Sequence, residues 1–145
     1  MEFNFINLLG FCIVVLILIP NIIYAIKSRG SAARFNNRFL SITENISRYA
    51  CIFLMIFPVF VWEFGFKSVS YFAIYLIGNS FLIIAYFLFW ILYFKKKTLM
   101  RAIFLAVIPS TIFILSAVTL THIPLLIFAV TFSVSHIFIT YKNAI

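Results

Sequence analysis

The sequence predicts an all-α polytopic membrane protein: a five-transmembrane-helix bundle with its N-terminus outside and its C-terminus cytoplasmic. Three observations lead there. Of 145 residues, 66% are hydrophobic and 10% charged, with no aspartate, against roughly half apolar in ordinary soluble domains. The apolar residues gather in long continuous runs, each long enough to cross a bilayer as a helix, and show no ten-residue barrel alternation. The basic residues between the runs fall almost entirely on one side. Eleven basic and three acidic side chains cannot coat a water-facing domain of this size. Lipid tails solvate apolar side chains directly, provided each span satisfies its own backbone hydrogen bonds. One compact transmembrane domain over residues 1–145 is expected.

The first run covers about 5–26. Its leader carries Glu2 and no Lys or Arg, and the basic residues follow the run. That order is the reverse of a secretory signal, so an uncleaved span is expected. The loop that follows, about 27–48, contains an amphipathic segment at about 34–48. Phe35, Phe39, Ile42, Ile46 and Tyr49 recur at helical spacing on one face, while Arg34, Arg38, Asn45 and Arg48 occupy a neighbouring one. Glu44 precedes Arg48 by four residues, a favourable helical pair. The segment reads as a helix on the inner membrane surface, or as a cytoplasmic extension of the second span. Attraction to anionic lipid headgroups accounts for it, with partner docking or gating as the alternative.

The second run, about 50–66, contains Pro58 and ends near Trp62 and Glu63, with Lys67 four residues after the glutamate. The third, about 69–93, carries Gly78-Asn79-Ser80 and is followed by Lys95-Lys96-Lys97. The fourth, about 102–120, contains Pro109-Ser110-Thr111, and the fifth, about 124–141, follows Thr121-His122-Ile123-Pro124. Small residues at mid-span allow close helix approach, and Asn or Ser can bond across the contact.

Alternation fixes direction. One side receives Lys27, Arg29, Arg34, Arg38, Arg48, Lys95, Lys96, Lys97, Arg101 and Lys142, and the other only Lys67, which accounts for all eleven basic residues. The positive-inside rule puts the ten in the cytoplasm. The protein is then expected in the cell membrane as a multi-pass chain. This topology sets Cys12 in the outer half of the first span and Cys51 at the inner end of the second. Their depths differ by more than a disulfide reaches, so both read as packing residues.

Ionisable and polar groups at membrane depth are functional candidates. Glu63 is the expected ion-coupling residue, being the only carboxylate the span boundaries put near membrane depth, although Lys67 can neutralise it at the interface. His136 lies six residues before Lys142, and Asn21 lies six before Lys27, on a span running the same way. The two therefore share a depth. Tyr24, Arg48, Tyr49 and Thr140 fall toward the same inner half, giving a candidate ligand-binding pocket walled by spans one, two and five. The plainer reading is interhelical hydrogen bonding that locks the bundle.

No GxSxG, HExxH, P-loop or CAAX ending is present. Two histidines with no carboxylate nearby do not make a metal site, and no cofactor is expected. The aromatic residues, 20% of the chain, read as lipid contact and packing. The basic charge is accounted for by the cytoplasmic loops and does not call for nucleic acid.

The stretches Ile19-Pro20-Asn21-Ile22-Ile23-Tyr24-Ala25-Ile26-Lys27 and Glu44-Asn45-Ile46-Ser47-Arg48-Tyr49 resemble segments of small uncharacterised membrane proteins of low-GC Gram-positive bacteria. That resemblance implies a bacterial plasma membrane and no assigned activity. The function expected is a small-ligand or lipid-binding protein, or an accessory subunit of a membrane complex. Its partners would be the bilayer, anionic headgroups, and a membrane-protein partner or further copies of itself. A small oligomeric transporter or channel is the alternative. A membrane enzyme with His136 as base on a lipid-linked substrate comes third.

Overall fold

The computed structural model describes residues 8–27, 37–57, 69–120 and 122–144. Five helices account for nearly all of them: α1 (Leu8–Lys27), α2 (Arg38–Ile56), α3 (Val69–Lys95), α4 (Leu99–Leu120) and α5 (Ile123–Ala144). All five are long and apolar enough to cross a membrane, which marks a multi-pass membrane protein.

The second helix takes one of the two forms expected of the amphipathic segment, a helix continuous with the run that follows it. It does not start with the apolar run near residue 50 but at Arg38, and it continues without a break through Ile56. Asn37 starts it as an N-cap, its side-chain oxygen accepting the Leu40 N–H at 3.2 Å. The amphipathic segment and the start of the expected span are therefore one helix, with no separate surface helix between them. Its apolar stripe of Phe39, Ile42, Ile46, Tyr49 and Phe53 is exposed, whereas Glu44, Ser47, Cys51, Leu54 and Met55 are buried. The rest of the expected second span, with Pro58, Trp62, Glu63 and Lys67, lies outside the described residues.

The helices close a ring. α1 touches α2 and α3, α3 packs on α4, α4 on α5, and α5 returns to α2, with a lighter contact from α2 to α4. α4 is the most buried member and α3 the least. On α3 the polar-tipped side chains of Tyr75, Asn79, Tyr86 and Trp90 are buried, while Ile74, Ile77, Phe81, Ile84, Leu88 and Ile91 are exposed. In water that exposed stripe would be an aggregation patch. Against lipid tails it is solvated, and the polar atoms turn inward where other helices can bond them.

Close approach of α3 and α4 depends on Gly78, where an added Cβ would come within 2.7 Å of Leu115 Cδ2. One residue along, Asn79 donates to Ser116 Oγ at 3.2 Å, tying the same two helices. The short α3–α4 connection is pinned by Arg101, whose guanidinium donates to the Leu92 and Lys96 carbonyls at 2.7 and 2.9 Å. The Leu92 carbonyl also accepts the Lys96 N–H at 3.0 Å, so Arg101 is its second donor. Cys12 is exposed and Cys51 buried, and both are free thiols.

Candidate functional site: a cavity walled by all five helices

Each helix brings side chains to a partly open cavity of about 320 Å³. α1 contributes Val14, Ile17, Leu18 and Asn21; α2 contributes Arg48, Tyr49 and Ile52. Tyr86 comes from α3, Pro109 and Phe113 from α4, and Phe132 and His136 from α5. The wall is mostly apolar, with a small number of polar groups, the usual make-up of a small-molecule site.

The polar groups are held by bonds between helices. Asn21 follows Pro20, whose missing N–H leaves the Leu16 carbonyl without its helical donor. The Asn21 amide donates twice, to the Ile17 carbonyl at 2.8 Å and to the Tyr86 hydroxyl at 2.7 Å, which joins α1 to α3. Across the cavity, Glu44 on the buried face of α2 accepts from two partners at one oxygen. Arg48, one turn along the same helix, is ion-paired with Glu44 Oε1. His136 Nδ1 from α5 lies 2.8 Å from that oxygen. A carboxylate held by a guanidinium is an acceptor only, so Nδ1 carries the hydrogen and donates it. Nε2 is then the ring nitrogen left for a ligand.

Phe132 shapes this corner. The His136 ring stacks on it at 4.7 Å between centroids, with planes 15° apart. The Arg48 guanidinium carbon sits 5.8 Å from the same ring's centre. Arg48 also donates weakly to Asn45 Oδ1 at 3.4 Å. The imidazole is therefore fixed by one hydrogen bond and one stack, the usual way of setting a histidine's tautomer and angle.

Of the residues singled out from sequence, Asn21, Arg48, Tyr49 and His136 line this cavity. Tyr24 does not: it joins an aromatic cluster, 5.2 Å from Trp90 and 5.8 Å from Tyr93 between centroids. Thr140 is half-buried and is not part of the lining. Glu63 lies outside the described residues. Spans three and four also line the cavity, beyond the three helices expected.

Two residues escaped the sequence reading. The expectation that no carboxylate lies near the histidines is overturned by Glu44, which is 8% exposed and bound to His136. Its local pairing with Arg48 hid it. The helical spacing that gathers Ile42 and Ile46 on one face already sets Glu44 on the opposite one. Tyr86 was one tyrosine in a long apolar run, although it stands seven residues after Asn79 and four before Trp90, on their face. Among the described residues no three His, Cys, Asp or Glu side chains gather as a metal would need. Comparison with protein-family models, curated proteins and solved structures finds no match.

Proposed function

We propose that this chain is a ligand-binding protein of a bacterial plasma membrane, holding a small amphipathic molecule in the five-helix cavity. Its N-terminus is outside and its C-terminus cytoplasmic, as the ten-to-one distribution of basic residues supports. Residues 1–145 act as one transmembrane domain, and Asn21, Arg48, Tyr49 and His136 meet the ligand. The observation that carries this reading is the cavity itself. Its 320 Å³ falls at the low end of the roughly 300–1,000 Å³ of small-molecule sites. Apolar walls from four helices would take a tail, and the polar group would take a head.

Purification in gentle detergent followed by native mass spectrometry tests it. A retained small molecule is expected, and Val14→Phe, which fills the cavity, should release it. A bare monomer that takes up no lipid, ligand or partner protein would overturn the reading. A co-purified protein in place of a small molecule would favour the accessory-subunit role.

One observation favours a second reading, a small transporter. A buried carboxylate bonded to a histidine inside candidate spans is the kind of pair that carries protons across membranes. Proteoliposome flux left unchanged by Glu44→Gln and His136→Ala would remove the pair from any such mechanism.

A further inference from the structure

The cavity's own donors narrow the chemistry of its ligand. Asn21 spends both amide hydrogens, on the Ile17 carbonyl and on the Tyr86 hydroxyl oxygen. The Tyr86 hydroxyl is thus an acceptor in that bond, and its own hydrogen remains to be donated. Tyr86 is 1% exposed and lines the cavity, and no acceptor for that hydrogen stands among the described residues. A buried O–H without a partner is costly, so an acceptor in the cavity is called for. Arg48 gives one nitrogen to Glu44 and another, at long range, to Asn45. Since a guanidinium carries five N–H donors, it keeps some for a ligand. His136 Nε2 becomes a third donor when the ring is protonated.

The charges set the rest. Arg48 and Glu44 cancel, so the cavity carries net charge only when His136 is cationic. The titratable and charged groups around His136 are few. From α2 come Glu44, Arg48 and Tyr49, with Cys51 further along the same buried face; from α3 comes Tyr86. α1 offers the uncharged Asn21, and α4 only Pro109 and Phe113. Arg48 is the one full positive charge among these groups, and Glu44 already offsets it.

We propose that the ligand is a single-chain amphiphile with an oxyanion head, a carboxylate or a phosphate monoester, and that His136 takes up a proton as the head binds. The head accepts from Tyr86 Oη, Arg48 and His136 Nε2, donors from three helices. The tail lies against Val14, Ile17, Ile52 and Phe113. Glu44 acts as a positioning residue: it accepts from Nδ1 and so turns Nε2 toward the cavity. This assignment rests on the ligand-cavity reading.

Isothermal titration of the full chain in phosphatidylcholine nanodiscs, with empty discs subtracted, tests both. The main probe is octane-1-sulfonate, which is ionised at every working pH, so any proton taken up belongs to the protein. Octanoate and octyl phosphate separate the two head types, and octan-1-ol is the uncharged control. Histidine ordinarily changes charge between about pH 5 and 8. Sulfonate binding should therefore tighten as pH falls through that range, by at most about tenfold per pH unit. Titration in buffers of different ionisation heat should count a net proton uptake, of at most one per ligand. His136→Gln should abolish that uptake and weaken binding about tenfold or more, and Tyr86→Phe should weaken it severalfold with the uptake retained. Glu44→Gln, leaving Arg48 uncompensated, should tighten anion binding and flatten its pH dependence. Tyr86→Phe, which removes only one donor, keeps the test open if Glu44→Gln does not fold.

Octanol binding as tightly as the anions, with no proton uptake, would overturn the head-group assignment and leave the cavity reading standing. If no probe binds beyond empty discs, and Val14→Phe releases nothing from the purified protein, the cavity reading itself fails.

Discussion

Glu44 holds two helices together through one oxygen, with Arg48 on its own helix and His136 on α5. The arrangement is asymmetric in its energetics. Removing His136 leaves a carboxylate that Arg48 still neutralises, whereas removing Glu44 leaves a guanidinium and an imidazole facing each other. Glu44→Gln and His136→Gln should each cost about 1–3 kcal/mol, with Glu44→Gln the larger. The double variant should cost less than their sum, with a coupling of about 0.5–3 kcal/mol, read from thermal unfolding in detergent. Additive losses would mean that the 2.8 Å contact carries no net stability. At this scale the sequence was partly readable. Asn21 and His136 stand the same six residues from a basic helix end, so depth alone brought them to one level. Glu44 was missed because residue spacing reports neighbours on one helix, and its second partner is 92 residues away. Tyr86 was missed because an apolar run gives no sign of which face turns inward.

The boundaries of α2 show where run-counting fails at the scale of an element. Hydropathy marks the residues that lipid can solvate, but a helix whose polar face meets a neighbour needs no continuous run. α2 has its polar face on the bundle and its apolar stripe outward, so its first half reads as a loop by hydropathy and as helix by periodicity. The other four helices were legible because they are apolar on nearly every side. The α3–α4 pair makes a sharper prediction. Gly78→Ala should cost under about 1 kcal/mol, since only the mobile end of Leu115 blocks the new methyl. Gly78→Ile should cost about 1–3 kcal/mol by prising the helices apart, and Leu115→Ala should recover part of that loss in the same unfolding assay. At the end of α3, Arg101→Ala should remove the side-chain donor to the Lys96 carbonyl and leave the Leu92 carbonyl with the Lys96 N–H alone. Hydrogen exchange in the last turn of α3 should then quicken, corresponding to about 1 kcal/mol of local stability, with Arg101→Lys recovering less than half. Unchanged exchange would show that solvent or headgroups already satisfy those carbonyls.

For the whole molecule, the ring order α1–α2–α5–α4–α3 lay beyond the sequence, because apolar runs carry no information about which helix sits beside which. Orientation is the reverse case, being argued from charge alone. With Cys12 and Cys51 replaced by Ala, a membrane-impermeant maleimide added to intact cells should label Lys67→Cys. It should reach Lys96→Cys only after permeabilisation, and the opposite pattern would invert the assignment. The ring also constrains the order of biosynthesis. α2 leaves the ribosome long before α5, so Glu44 must enter the membrane while His136 does not yet exist. Arg48, one turn away, lets α2 carry its own counter-charge during that interval. When the last helix docks, this self-sufficient pair becomes a shared one. A chain whose fifth helix fails to arrive would leave those charges facing lipid, a conspicuous mark of incomplete assembly for membrane quality control.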